Sequence, residues 1–207
     1  MMITFYHAPF SCSLAVKAAL TATGVNFETK TINFDKGEHQ TDEFLKINPM
    51  GKVPAIVMGD TILTEGSAIN LFLAEKYPEA NLMPESGSLE KAAALKWLQL
   101  MYTTLHSAFA RAFYPVRYGD NEQSVKLKAE QEIHRILALI DQQLAENTFI
   151  AGETFCLADL YLMTAIHWDS ALQKSITVNY ENIARFEKEM FNQTSVGHVF
   201  VEEYGKS

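Results

Sequence analysis

The chain changes its hydrophobic period at about residue 80, and this change limits the folds that it can adopt. Before that point, short runs rich in β-branched and aromatic residues alternate with short helical runs. Beyond it, apolar residues recur every three or four positions, as they do in amphipathic helices. A segment rich in Pro, Gly and Asn, PEANLMPESG, separates the two patterns. The sequence therefore predicts an α/β domain over 1–77, a linker over 78–87 and an all-helical domain over 88–207.

The first domain is predicted to have the element order β-α-β-α-β-β-α. Its four strands and two of its helices can be placed: strands at 3–6, 27–34, 53–58 and 61–64, and helices at 12–24 and 66–77. Gly24 marks the end of the first helix, and Gly59-Asp60 predicts a hairpin between the last two strands. These elements indicate a small mixed sheet with helices packed on it.

The second domain is predicted to be a helical bundle. Helices are expected at 95–113, 133–144, 157–172, 183–192 and 196–204. The segment 157–172 is apolar nearly all round, so we expect it to be the buried helix of the bundle. The predicted fold class is therefore α/β followed by all-α.

Charge and composition exclude several classes of function. The chain carries 17 Lys and Arg against 25 Asp and Glu, a net charge of −8, with no basic cluster. Nucleic-acid-binding proteins usually carry a basic face, so we expect no such partner. No apolar run approaches the roughly 20 residues that span a bilayer, and the first residues lack the features of a signal peptide. We expect a cytoplasmic protein without a membrane partner, whose two cysteines form no disulfide.

Cys12 is the first candidate for chemistry, because it follows a predicted strand and opens a helix. Unpaired backbone N–H groups and the positive end of the helix dipole favour a thiolate there, so we expect its pKa to be lowered. Pro9 and Ala15 lie three residues away on either side, which excludes a dithiol site. Ser11 is a second candidate at the same place. The alternative is that Cys12 is a packing residue or a small helix cap.

Two other segments have the pattern of ligand-binding backbone. A cis bond at Val53-Pro54 would leave the Val53 backbone free to pair with a peptide ligand. The segment 64–67, TEGS, ends a strand and opens a helix, whose free N–H groups suit a carboxylate while Glu65 suits an ammonium. The alternatives are an ordinary strand entry at the first segment and simple helix capping at the second.

The six histidines do not show metal-ligand spacing, and there is no Cys/His quartet, so we expect no metal. There is also no Gly-rich loop of the kind that binds phosphate. His106 falls within a predicted helix next to its apolar stripe. On position alone, such a histidine is more often structural than catalytic.

Four stretches together carry a family resemblance. They are PFSCS, NPMGKVPAI with TEGSAI, LHSAF, and GETFCLADLYL. In this order and at these separations, the whole chain resembles a cytosolic glutathione S-transferase. SCSL together with His106 resembles the bacterial beta class in particular. The resemblance implies a thioredoxin-like domain joined to a helical domain.

The resemblance also implies roles for individual residues. Val53-Pro54 is implied to be a cis bond that holds the cysteinyl part of glutathione. Catalysis is implied for Cys12 and His106, with Ser11 as the alternative to Cys12. The other implied glutathione contacts are Glu65, Gly66 and Ser67 at the γ-glutamyl end, Lys36 and Lys52 near the glycyl carboxylate, and Gln99 and Thr103 across a dimer interface.

The implied activity is conjugation of the glutathione thiolate to a hydrophobic electrophile, with thiol exchange as a further reaction. Glutathione would be a co-substrate, with no permanently bound cofactor. The resemblance further implies a homodimer with a role in detoxification. The alternative is a non-catalytic binding or interaction module of the same fold.

Three positions depart from the family pattern. Gly66 stands where many relatives have Ser, and Gln99 stands where beta-class relatives have an Asn-like residue. The capping box Ser/Thr-x-x-Asp reads CLAD here, from Cys156 to Asp159. Because a thiol is a poor acceptor, we expect this cap to be about 1 kcal/mol weaker than its Ser/Thr version. We assign it to folding rather than catalysis.

Overall fold

The computed structural model describes residues 2–172 and 175–205, and its first unit contains a four-stranded sheet. The strands are β1 (Ile3–His7), β2 (Phe27–Thr31), β3 (Ala55–Met58) and β4 (Thr61–Thr64). Their spatial order is β2-β1-β3-β4. The β1 strand is parallel to β2 and antiparallel to β3, which is antiparallel to β4. A parallel pair requires a crossover, and the helix that follows β1 provides it.

Three helices belong to the same part of the first unit: α1 (Ser13–Ala22), α2 (Asp42–Ile47) and α3 (Gly66–Lys76). The α1 helix packs against β1 and α3. Leu14 and Leu20 of α1 and Ile69 and Leu73 of α3 are completely buried in this packing. The start of α1 is therefore fixed by the core, and Cys12 immediately precedes it.

The second unit is helical. Its helices are α4 (Leu89–Gln99), α5 (His106–Phe113), α6 (Glu122–Ala145), α7 (Leu157–Ala165), α8 (Ile176–Asn179) and α9 (Glu181–Phe191). A π-helical turn, Leu100–Leu105, joins α4 to α5 without a break. All nine residues of α7 are buried, as the sequence predicts. Within the described part of the chain, no helix has both the length and the apolar character needed to cross a membrane.

The predicted fold class is confirmed, and the differences lie at the ends of elements. The predicted strand 27–34 ends at Thr31. The predicted helix 133–144 is the second half of α6, whose first turns are too polar to show an apolar stripe. The predicted helix 157–172 ends at Ala165 and is followed by a short 3₁₀ turn, Asp169–Ala171. Apolar residues continue past the true helix end, so composition alone gives no stop signal there.

The last helix, α10 (Gly197–Tyr204), packs with the first unit. One unit comprises the chain up to Met83 together with the segment from Gln193 onward, and the other is Pro84–Asn192. The sequence pattern instead places the last helix in the helical domain. The α10 helix packs against α1, where Val199 and Phe200 are buried. An amphipathic pattern shows that a helix has a buried face, but it does not show which neighbour covers that face.

Candidate active site

Cys12 lies at the junction of β1 and α1. It is the N-cap residue of α1 but has helical backbone angles, φ −58° and ψ −16°, and its side chain makes no capping hydrogen bond. The thiol is half-buried, and its Sγ donates a hydrogen bond of 3.6 Å to the carbonyl oxygen of Val53. The loop before β3 is thereby connected to the start of α1.

The direction of the Cys12 pKa shift is opposite to the sequence-based expectation. Burial, which is the largest cause, raises the pKa of the thiol from 9.0 to about 12. The backbone N–H of Cys12 lowers the pKa, the charge of Glu65 raises it and the charge of Lys52 lowers it. A helix dipole contributes up to about 1 kcal/mol at such a site, less than one pKa unit, whereas desolvation can shift a pKa by about 3–5 units. The prediction of a lowered pKa for Cys12 is therefore wrong.

The loop before Cys12 contains linked hydroxyl groups. The Ser11 hydroxyl donates to the carbonyl of Ala8 at 2.7 Å, and its oxygen also lies 2.7 Å from the Ser13 hydroxyl. Ser13 is completely buried, and its oxygen is 2.8 Å from Nδ1 of His7. The sequence analysis selected Ser11 but missed Ser13 and His7. The second serine of SCS is the local signal for Ser13, and no sequence signal links it to His7.

The Val53-Pro54 peptide bond is cis, as the resemblance implies. The turn before it is held by Asn48, whose side-chain amide donates to the carbonyl of Lys52 at 2.6 Å. Gly51 has a φ of +62°, and a Cβ there would lie 2.5 Å from the side chain of Gln40. A side chain at position 51 would therefore be strained by the backbone conformation and would also crowd the His39 carbonyl oxygen at 3.0 Å.

Glu65 is the N-cap of α3 and has an unusual backbone conformation, φ 65° and ψ 107°. Positive φ is uncommon for residues with a Cβ and is often found at functional sites. No side-chain capping hydrogen bond is present at this described helix start. The alternative of simple capping by Thr64 or Ser67 is therefore not supported. The Glu65 side chain is exposed, and its charge reaches Cys12. Gly66 and Ser67 supply the first backbone N–H groups of α3.

The two predicted lysines differ in their placement. Lys52 is exposed, next to Val53, and its charge acts on the Cys12 thiol. Lys36 lies in an exposed turn, where its backbone N–H donates to the side chain of Asn33 at 3.1 Å. Among the described residues, no hydrogen bond or ion pair links Lys36 to Cys12, Val53 or Glu65. The structure therefore brings Lys52, but not Lys36, to the Cys12 region.

His106, Gln99 and Thr103 belong to the second unit. Nδ1 of His106 is 2.5 Å from the Tyr161 hydroxyl, and the Trp168 ring meets the imidazole edge-on at 5.5 Å between centroids. Gln99 and Thr103 are exposed, and the Thr103 hydroxyl donates to the Gln99 carbonyl at 2.7 Å. The π-helical turn that ends beside His106 is of a kind often found at functional sites. The sequence analysis missed Tyr161 and Trp168, which fix the imidazole.

Cys156 and Asp159 form the capping box of α7. Asp159 is completely buried and accepts two backbone hydrogen bonds of 2.8 Å, from the N–H groups of Ile150 and Cys156. Burial raises the pKa of Asp159 to about 6, although these two hydrogen bonds lower it. Burial, followed by the charge of Asp159, raises the pKa of Cys156 well above 9.0. This arrangement matches the folding role that the sequence predicts.

Two family models match the chain. The model described as "Glutathione S-transferase, N-terminal domain" matches residues 1–75, and the model described as "Glutathione S-transferase, C-terminal domain" matches 93–194. The chain is 30% identical to glutathione S-transferase GstA of Escherichia coli O157:H7 over 193 residues. That match covers 92% of this chain and 94% of the relative.

Solved structures give the same result. A glutathione transferase homologue from Sulfitobacter, crystallised with bound glutathione, has a TM-score of 0.88 and 26% identity, and the match covers 97% of this chain and 98% of that one. The bacterial beta-class glutathione S-transferase of Sphingomonas chungbukensis has a TM-score of 0.84 and 30% identity, with 98% and 100% covered. The similarity therefore extends over both units and includes the beta class.

Proposed function

The chain belongs to the glutathione S-transferase family and is a glutathione transferase, and we propose that the thiol of glutathione reacts beside Cys12. The observation that carries this assignment is the hydrogen bond of 3.6 Å from the Cys12 thiol to the Val53 carbonyl, at the cis bond to Pro54. The charges of Glu65 and Lys52 act on the same sulfur atom. Residues predicted for three parts of glutathione therefore lie near one another, which supports a single tripeptide site.

In this proposal Cys12 is a hydrogen-bond donor. Because burial raises its pKa to about 12, Cys12 keeps its proton at neutral pH. When glutathione is bound, the Cys12 S–H donates to the glutathione sulfur and stabilises its thiolate by a charge-assisted hydrogen bond. The proton of the glutathione thiol goes to His106 or to water. The thiolate then forms a bond to an electrophilic carbon, and the electron pair of the bond that breaks goes to the leaving group or, in an epoxide or enone, to its oxygen.

A neutral Cys12 has a second consequence, for thiol exchange. Attack on a disulfide requires a thiolate, and the fraction of thiolate at Cys12 is very small at neutral pH. Exchange through Cys12 itself is therefore slow relative to conjugation by the bound glutathione thiolate. We assign conjugation as the main reaction and glutathione-dependent thiol exchange as a minor one.

The other parts of glutathione are assigned to the backbone and charges around Cys12. The Val53 backbone pairs with the cysteinyl residue, as in added-strand recognition of peptides. At the γ-glutamyl end, the first N–H groups of α3, from Gly66 and Ser67, bind the carboxylate and Glu65 binds the ammonium. Lys52 is assigned to the glycyl carboxylate. Lys36 is assigned a weaker, longer-range attraction to the same group, because its charge, unlike that of Lys52, does not act on Cys12.

The roles of His106, Gln99 and Thr103 toward glutathione are proposed from the family resemblance. His106 is assigned a catalytic role, either accepting a proton or stabilising the thiolate. Its hydrogen bond to Tyr161 supports this proposal, because a fixed imidazole presents its second nitrogen in a defined direction. Gln99 and Thr103 are assigned glutathione contacts from a neighbouring subunit.

The protein is proposed to be a cytoplasmic homodimer that detoxifies hydrophobic electrophiles and needs no permanently bound cofactor. The resemblance to the beta class and the acidic, ordinary globular composition support this proposal. Light scattering of the purified protein tests the dimer. A panel of activated aryl halides, enones and epoxides, each assayed with and without glutathione, tests the class of electrophile.

The test of the glutathione site is Glu65→Ala, measured by calorimetry with glutathione. Loss of a charge-assisted bond to the ammonium is expected to weaken binding by about 2 kcal/mol. A glutathione analogue without the amino group is expected to lose little further affinity in the variant. Glu75→Ala is the matched control, since Glu75 is an exposed carboxylate on the same helix, α3. If the losses from the variant and the analogue add in full, Glu65 is not the ammonium partner.

A further inference from the structure

A chain of polar contacts runs from the Cys12 loop to the last helix. The hydroxyl oxygen of Ser11 lies 2.7 Å from the hydroxyl oxygen of Ser13. The Ser13 oxygen in turn lies 2.8 Å from Nδ1 of His7. Nε2 of His7 then faces Oε2 of Glu203, on α10, at 3.8 Å. His7 and Ser13 are 4% and 0% exposed, so solvent does not replace these contacts. Glu203 is therefore connected to the residue that precedes Cys12.

The second carboxylate oxygen of Glu203 contacts the same loop directly. Oε1 accepts a hydrogen bond of 2.5 Å from the backbone N–H of Phe10, and the Phe10 ring lies 6.1 Å from the ring of Tyr204. Phe10 has a φ of +59°, in the left-handed region that residues with a Cβ rarely occupy. Such a conformation is strained and persists only where the surroundings hold it. Glu203 supplies that support at Phe10, which lies two residues before Cys12.

Glu203 is charged where it meets His7 and the Cys12 loop. Burial raises the pKa of Glu203, but His7, the Phe10 N–H and Lys17 lower it to a net value below the ordinary one, so Glu203 is ionised at neutral pH. A carboxylate only accepts hydrogen bonds, so at the 3.8 Å contact Nε2 of His7 is the nitrogen that carries a hydrogen toward Glu203. The Ser13 oxygen accepts a hydrogen bond of 3.2 Å from the Ala8 N–H and lies within hydrogen-bond distance of both Nδ1 of His7 and the Ser11 hydroxyl.

The hydroxyl of Ser11 is engaged within its own loop. Its one hydrogen is directed to acceptors within the loop, either the Ser13 oxygen or the Ala8 carbonyl, both at 2.7 Å. Ser11 is therefore occupied as a donor, whereas the Cys12 S–H makes a longer contact of 3.6 Å to Val53 that a ligand can replace. The geometry favours Cys12 over Ser11 as the donor to the glutathione sulfur.

We propose that Glu203 and His7 are positioning residues for the transferase reaction, holding the loop from Phe10 to Cys12 in its reactive conformation. The inference rests on the proposed function, in which glutathione reacts beside Cys12. It assigns part of the active-site geometry to α10, the last helix of the chain. Neither residue touches the substrate, and both act through the backbone and hydroxyl groups of the loop.

The same helix provides a matched control. Glu202 is adjacent to Glu203 and forms an exposed ion pair of 3.4 Å with Lys17 of α1. Val199 and Phe200 of α10 are buried against the first unit and do not depend on either carboxylate. Removal of Glu203 is therefore expected to leave α10 in place, and Glu202→Ala removes a charge of the same sign without affecting the Cys12 loop.

The experiment compares Glu203→Ala, Glu203→Gln and Glu202→Ala in the full chain. For each, kcat and KM are measured with glutathione and an aryl chloride activated by nitro groups. The rate of Cys12 alkylation by iodoacetamide is measured in a Cys156→Ser background, together with the thermal midpoint. Glu203→Ala is expected to lower kcat by about tenfold and to change the alkylation rate, because a small displacement of reacting groups has effects of this size. Glu203→Gln keeps an oxygen for the Phe10 N–H, so its kcat and alkylation rate are expected to lie between those of Glu203→Ala and the wild type. Glu202→Ala is expected to match the wild type in both quantities.

A lower thermal midpoint in Glu203→Ala, with wild-type kcat and alkylation rate, would overturn the positioning role and leave Glu203 as an anchor of α10. Cys12→Ala, assayed in parallel, distinguishes this failure from failure of the proposed site. Full activity in Cys12→Ala contradicts the assigned role of Cys12. Wild-type kcat in Glu203→Ala contradicts only the role of Glu203.

Discussion

Cys12 and Cys156 occupy the same position in their local sequence, since each is the N-cap residue of a helix, yet the two helix starts are built differently. Cys12 has helical backbone angles, makes no capping hydrogen bond and is half-buried. Cys156 is extended, is 1% exposed and shares a capping box with Asp159. The first helix start leaves its thiol available to a ligand, and the second uses its side chains to close the helix.

The comparison shows that a helix N-terminus does not by itself make a thiol acidic. Burial is the largest cause of the shift at both sites and raises both pKa values above 9.0. The helix dipole is worth up to about 1 kcal/mol, which is smaller than the effect of desolvation. What distinguishes the two thiols is their neighbours. Cys12 has the exposed charges of Glu65 and Lys52 nearby, and Cys156 has the buried carboxylate of Asp159.

The largest expected difference between the two helix starts is in stability. Asp159→Ala removes the acceptor of two buried N–H groups, and we expect it to lower the free energy of unfolding by about 3 kcal/mol or more. Asp159→Asn keeps one acceptor oxygen and is expected to lose about half as much. Cys12→Ala removes no capping bond and is expected to cost less than about 1 kcal/mol. Urea unfolding of the three variants measures these free energies. Equal losses of unfolding free energy in Asp159→Ala and Cys12→Ala would contradict the comparison.

A smaller effect is expected in the pH dependence of stability. Burial raises the pKa of Asp159 from 3.8 to about 6, so its stabilising contribution is complete below the unfolded value and is lost as pH rises through 6. Between about pH 7.5 and pH 5 this contribution grows by about 1.4 kcal/mol, one pKa unit. Cys12 contributes nothing in this interval, because both its ordinary and its raised pKa lie at 9.0 or above.

The measurement is the free energy of unfolding of the wild type and of Asp159→Asn at both pH values. The wild type is expected to gain stability relative to the variant as the pH falls. A constant difference between the two proteins would show that Asp159 is already ionised at pH 5, and that its two N–H donors outweigh burial.

Much of the fold could be predicted from sequence because its signals are local. Two short apolar and β-branched runs that flank Gly59-Asp60 predict β3 and β4, and the all-apolar segment predicts the burial of α7. The placement of α10 could not be predicted in this way. Its apolar stripe is satisfied by any neighbour, and only the tertiary structure shows that it packs on α1.

The candidate site also contains some residues that could be predicted from sequence and others that could not. Cys12, Val53 and Glu65 could be selected from sequence, because each lies at a junction between a strand and a helix or at an X-Pro bond. The pKa of Cys12 could not, because burial depends on residues distant in sequence. His7, Ser13 and Glu203 were not selected, since His7 and Glu203 are 196 positions apart and meet only in the folded protein.

The most direct test of the account is the titration of Cys12 in the protein without glutathione. Thiolate absorbance is followed against pH in Cys156→Ser, so that Cys12 is the one reporting thiol among the two cysteines of the chain. The account predicts a midpoint above the ordinary value of 9.0 and toward 12, because burial disfavours the thiolate. A midpoint at or below that ordinary value of 9.0 would contradict it. Cys12 would then be a thiolate at its helix start, available as a nucleophile.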